Sequence, residues 1–178
     1  MADIAVVVDD DLAEFTSAIA DQVESFLVAV RAVANGEAAS SAVSMLLLEV
    51  SQLLLAGGRL GAIADVIPEE RFEEDPGPDP DLDELRDELA VLLDPCDVYR
   101  EVFDPLAVPT EVETRRISDD LAAIVAELAH GLTHFRAGRE TEALWWWQFS
   151  YLSGWGPAAS AALRALHSIV AGSRLQES

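Results

Sequence analysis

The sequence has no lysine and a single cysteine, and each scarcity removes a class of protein. Its eleven basic residues are all arginine and face thirty-three acidic ones, for a formal net charge of −22. A field of that sign repels phosphate backbones and anionic headgroups, so neither nucleic acid nor membrane is expected as a partner. Cys96 alone cannot form an internal disulfide and gives no sign of an oxidising compartment. No apolar run approaches the roughly 20 residues of a membrane span. The first residues carry no basic patch and run into Asp9, Asp10 and Asp11, unlike a secretory leader. The expected setting is cytoplasmic. Glycine-rich phosphate loops and dinucleotide glycine patterns are missing as well, and no cofactor is expected.

What the chain does have is apolar material, 51% of 178 residues. That is too much for a disordered acidic chain, and a chain this long buries roughly 70% of its extended surface without staples. Length and composition suit a single domain.

The apolar residues recur with helical period. Leu12, Phe15, Ile19, Val23, Phe26 and Val30 form one stripe, ended by Asn35 and Gly36, which tolerate a left-handed cap. Val43, Leu46, Leu47, Val50, Leu53 and Leu54 form a second, interrupted by Gly57 and Gly58. The short connection between them predicts a helical hairpin within 1–67. From 68 to 80, six carboxylates, with Asp81 next after them, surround Pro76, Pro78 and Pro80, a composition that predicts a loop. Asp79 and Pro80 suit a helix start, and Leu82, Leu85, Leu89 and Leu92 form a third stripe stopped by Pro95. Residues 96–116 are less regular; Tyr99 and Phe103 are spaced for one helical turn. Ser118 reads as the cap of a helix that turns Leu121, Ile124, Val125, Leu128, Leu132 and Phe135 inward, with Gly138 past its end. A helix from about Glu140 carries the tryptophans, and Pro157 suits the first turn of a last helix bearing Leu163, Leu166 and Val170. Apart from a few residues near Ile4 to Val8, nothing alternates like a sheet. The fold expected is all-α, a single bundle of about six helices, with 81–178 as its C-terminal part.

The pieces Tyr99-Arg-Glu-Val-Phe103-Asp-Pro105, Asp119-Asp-Leu-Ala-Ala-Ile124 with Glu127-Leu128, Ala143-Leu-Trp-Trp-Trp147-Gln-Phe149, Trp155-Gly156 and Ala162-Leu-Arg-Ala-Leu-His167 are similar to those of an uncharacterised bacterial family, domain of unknown function 5063. The resemblance covers about 97–170 well and the N-terminal hairpin loosely. It implies an all-helical fold in a bacterial cytoplasmic protein and implies no activity.

Three consecutive helical residues sweep about 200° of circumference, so Trp145, Trp146 and Trp147 cannot share one core. Leu144, Tyr151, Leu152 and Trp155 share a face flanked by Trp145 and Trp147. Trp146 falls with Arg139, Glu142, Ser150 and Ser153 and is expected to be exposed or covered from outside the chain, as an anchor for a partner. Gln148 and His167 both fall on inward sides. With Arg164 beside His167, the three could line a small polar pocket, or serve as an internal network tying two helices together.

Glu127, His130 and His134 stand at i, i+3 and i+7, with Asp120 seven residues earlier, a helical spacing that can hold a divalent metal. Di-iron bundles need Glu-x-x-His twice, however, and a stripe opposite the apolar face is ordinarily solvated. Glu69-Glu70-x-x-Glu73-Glu74 with Glu84-x-x-Asp87 is similar to the acidic pairs of helical nucleotide pyrophosphatases, but three prolines break the first pair away. Cys96 has no nearby His in sequence.

The function expected is a non-enzymatic protein-interaction module with a protein partner, and a homodimer if apolar surface is exposed on the hairpin or at Trp146. The alternative is a small-molecule-binding or metal-dependent activity in a bundle pocket.

Overall fold

A computed structural model describes residues 9–37, 39–68, 81–102 and 104–176. The strand-like residues near Ile4, the acidic segment 69–80 with its Asp79–Pro80 helix start, and Phe103 lie outside them. In chain order the elements are α1 (Asp9–Ala34), a short 3-10 turn (Ala39–Ser41), α2 (Ala42–Ala62), α3 (Asp83–Leu93), β1 (Val98–Glu101), β2 (Glu113–Arg116), α4 (Ile117–Arg136), α5 (Glu140–Ser150), a π turn (Tyr151–Trp155) and α6 (Gly156–Gln176). Because α5, the π turn and α6 run on without a break, the six α-helical segments among the described residues make five separate rods.

The apolar stripes account for the core. Ile19, Val23, Phe26 and Val30 of α1 meet Leu46, Val50, Leu53 and Leu60 of α2, all buried. Gly36 closes α1 with φ of +81°, the left-handed conformation that glycine adopts without steric cost. The glycine pair does not stop α2, which continues to Ala62 and lays the Arg59 guanidinium 5.0 Å above the Phe15 ring. Leu82, Leu85, Leu89 and Leu93 pack α3 inward. Around the central α4 stand α1, α3, α5 and α6, and α2 packs on α1 and α6.

By length and composition, Ala39–Ala62 is apolar enough to cross a membrane, contrary to the expectation that no segment would be. Only Glu49 and Arg59 charge that stretch. In the fold its inner face is core, with Leu46, Val50, Leu53 and Leu60 almost wholly removed from solvent.

Residues 96–116 hold a two-stranded antiparallel hairpin rather than a helical turn, with Val98 opposite Arg116 and Tyr99 opposite Arg115. Four residues per strand, with one half-buried face, give too little alternation to stand out in a sequence. The start of α4 differs too. Ser118 lies inside the helix, and its backbone N–H donates to the Asp97 carboxylate at 2.8 Å. The Ser118 hydroxyl donates to the other Asp97 oxygen, also at 2.8 Å. The helix cap is thus supplied by a residue twenty-one positions earlier, which places a negative charge at the positive end of the helix dipole.

Pro157 falls in the first turn of α6, as its fixed φ suits, yet it starts no separate helix. Proline cannot donate to the carbonyl four residues back and clashes with it. The turn widens instead: the Gly156 N–H donates to the Tyr151 carbonyl, five residues back.

Candidate functional site

The aromatic segment packs by pairing consecutive indoles with consecutive backbone carbonyls of α4. Trp146 Nε1–H donates to the Glu127 carbonyl at 2.9 Å and Trp147 Nε1–H to the Leu128 carbonyl at 3.1 Å. Each carbonyl has a second lone pair left after its helix bond, so α4 accepts the indoles without unwinding. Trp147 is fully buried, and its ring lies over Gly131, where a Cβ would stand 2.7 Å from Cε2 and closer still to Nε1. Trp155 is buried below, its Nε1–H donating to the Trp147 carbonyl at 3.3 Å. The Tyr151 ring crosses Gly57 and Gly61 of α2, whose missing side chains make room for it.

Trp146 is therefore half-buried rather than exposed, tilted against the His130 ring with centroids 4.2 Å apart. Its middle position does send it away from the core, but the side of α4, not solvent alone, receives it. Trp145 is also half-buried and stacks on Phe149 at 5.6 Å with the rings 13° from parallel. Trp146 and Phe149 lie 6.3 Å apart. Leu152, expected inward, is 61% exposed, and Phe149, 50%. The buried sector of α5 is centred between Leu144 and Trp147, and Leu152 projects about 100° away from it, alongside Trp145. Trp145, Trp146, Phe149 and Leu152 thus form one continuous aromatic and apolar strip on the outside of the helix.

The three residues of the expected polar pocket do not meet around one space. Gln148 is buried at the opposite edge of α5, where its amide spans the end of α2. Its Nε2 donates to the carbonyls of Leu60 and Ala64 at 3.0 and 3.2 Å, and its Oε1 accepts the Val66 N–H at 2.8 Å. All its strong hydrogen-bonding capacity goes to backbone, so it is the internal network of the two readings. Arg164 and His167 are exposed on α6, which turns Ala165 and Leu166 inward instead. They line a shallow hollow of about 550 Å³ with Leu47, Ser51, Leu163 and Ser168, and Arg164 pairs with Glu101 at 3.5 Å.

The Glu127, His130 and His134 stripe is partly covered rather than fully solvated. His134 is buried, Glu127 and His130 are half-buried, and the two imidazoles pack edge to face at 5.2 Å. A central helix has neighbours on nearly every side, so its polar face is roofed by α5. Among the described residues no group of three His, Cys, Asp or Glu side chains converges as metal ligands. Cys96 is exposed.

Of the two polar clusters at the start of α4, the sequence reading included only Asp120, as part of the metal stripe. Asp120, 4% exposed, accepts the Tyr99 hydroxyl at 2.5 Å and binds the Arg115 guanidinium through Nη2 and, at 3.1 Å, Nε. Burial, followed by the bond to Asp120, raises the Tyr99 pKa, and the same carboxylate raises that of Arg115. Asp97, 3% exposed, takes Arg116 Nε at 2.9 Å beside its Ser118 bonds. Each buried carboxylate is satisfied by an arginine and by a further donor, so the clusters fasten the hairpin to α4. The one signal available in the sequence was the adjacency of Arg115-Arg116 to Asp119-Asp120. A groove of about 720 Å³ also runs between α1, α3 and α4, floored by Leu27, Leu82, Leu85, Val125 and Leu132 and edged by the Glu24–Arg136 pair at 2.9 Å.

No curated protein matches the chain. The crystal structure of protein BF1032 from Bacteroides fragilis is similar over 85% of this chain and 89% of that one, with a TM-score of 0.65 and 22% sequence identity, a likeness of fold. The family described as Domain of unknown function (DUF5063) matches residues 10–172, so the N-terminal hairpin belongs to the match together with the segment that holds the tryptophans. This chain is a member of the DUF5063 family.

Proposed function

We propose that the protein is a non-enzymatic interaction module that binds a protein partner through the outer face of α5. The observation that supports this most is the stacked Trp145–Phe149 pair, with Phe149 half-exposed and Leu152 largely so. Large rings held rigidly at a surface lose little entropy on binding, and burying them is favourable. The polar candidates support catalysis less well: Gln148 is consumed by backbone, and the Asp97 and Asp120 clusters are closed by their own arginines. A pull-down with the native chain, Phe149→Ser and Trp146→Ala, followed by re-measurement with the purified partner, tests the reading. A partner held by the native chain and lost by both variants supports it; identical capture by all three removes it.

A second reading, a small-molecule ligand, draws support from the apolar groove between α1, α3 and α4. A ligand of the native state raises Tm by mass action, so a thermal-shift screen should give hits that Val125→Trp abolishes.

A further inference from the structure

The charge around the α5 strip narrows the kind of partner that fits it. On the helix surface Glu142 lies one turn before Trp145 and Trp146, on the same outward side as Phe149, and Glu140 is exposed just ahead of it. Arg139 precedes them at the start of α5, and with two carboxylates to one guanidinium that end of the strip is negative. The aromatic strip thus begins beside carboxylates, on a chain with a net charge of −22 and no lysine. An aromatic face presents negative density to a guest above it, and carboxylates beside it fix the sign of charge it accepts. Arginine combines a flat, weakly hydrated cation with stacking on rings, and so matches both features at once. A second copy of the chain is a poorer match. In a two-fold interface the patch meets itself, which brings two surfaces of like charge together.

We infer that the occupant of the α5 face is a basic segment of another protein, whose arginine or lysine side chains lie over Trp145 and Phe149 while Glu140 and Glu142 hold their charge. This rests on the interaction-module reading and specifies its partner.

The test uses the purified full chain and a fluorescein-labelled peptide of alternating Arg and Leu, with a counterpart in which Gln replaces every Arg, read by anisotropy at physiological salt. The Arg peptide should bind at least about tenfold more tightly than the Gln peptide. Phe149→Ser, which leaves the net charge unchanged, should weaken the Arg peptide by about tenfold. Asp21→Asn, an exposed acid on α1, should change it by less than about twofold. Leu152→Ser serves as a second surface variant, and thermal melts check that each variant is folded. Equal binding by native chain and Phe149→Ser would mean that bulk charge holds the peptide, and would overturn the inference. So would equal affinity for the Arg and Gln peptides, or a homodimer in sedimentation that Phe149→Ser dissociates. Those results leave α5 standing as an interaction face, whereas identical partner capture by native chain and Phe149→Ser removes that reading itself.

Discussion

The indole of Trp147 occupies the space that any side chain at Gly131 would need. Helix propensity alone favours alanine over an interior glycine by about 1 kcal/mol. Here an added methyl would collide with the ring and break its bond to the Leu128 carbonyl. Overpacking of this kind costs about 1–3 kcal/mol, and a lost buried hydrogen bond adds to it. Gly131→Ala should therefore lower stability by about 2 kcal/mol in denaturant melts. Gly58→Ala, on α2 with open space around it, should raise stability by up to about 1 kcal/mol. Changes of the same sign in both would contradict the packing described.

Gln148→Leu keeps much of the volume and removes every polar contact to α2. It leaves the Leu60 and Ala64 carbonyls and the Val66 N–H without their partner. The cost should be about 2–4 kcal/mol, with faster amide exchange at Val66 than elsewhere in the core. Exchange at Val66 unchanged from the native chain would show that the amide does not hold this segment.

Tyr99 provides the alkaline limb of stability. Its folded pKa lies above the ordinary value of 10.0, chiefly through burial and then through its bond to Asp120. A raised folded pKa gives stability that is complete below the unfolded value and lost as pH rises through the folded one. The chain should thus lose stability above about pH 10, and Tyr99→Phe should flatten that loss. Absorbance at the tyrosinate band, taken as the difference between native chain and Tyr99→Phe, should show the phenol ionising late. An ionisation at or below the ordinary value would contradict the buried Tyr99–Asp120 bond.

Glu49 works in the opposite practical sense at neutral pH. It is half-buried on α2, one oxygen is shut off from solvent, and burial raises its pKa from 4.5. The folded state favours the neutral acid, so its contribution is complete below the unfolded pKa and lost as pH rises through the folded one. Glu49→Gln should raise Tm by about 1–2 °C at pH 7 and by nothing near pH 3. A larger gain at the acid end would reverse the sign and contradict the account.

The helices were legible because their stripes are long. Ile19 to Val30, Leu46 to Leu60 and Leu121 to Leu132 repeat at helical period over several turns, and the buried side chains follow them. What escaped reading depends on contacts between distant parts of the chain. Asp97 caps a helix that starts twenty residues later, and Tyr99 owes its setting to Asp120, pairings that no local pattern carries. The hairpin is too short to alternate visibly. A helical wheel gives the relative directions of His167 and Leu152 but not which of them faces inward, because the neighbours that fix it, α2 and α4, are known only once the bundle is assembled. Trp146 was half legible: the wheel turned it from the core, and only the fold shows His130 waiting beneath it.

The most direct test of the α5 face as the functional surface is site-specific photocrosslinking in cells, with a benzophenone amino acid at Phe149, Leu152, Val91 or Leu106, all substantially exposed. Positions 149 and 152 should yield one shared adduct, a partner protein of the same mass, and positions 91 and 106 should not. Adducts confined to 91 or 106, or no adduct from either α5 position, would contradict the account.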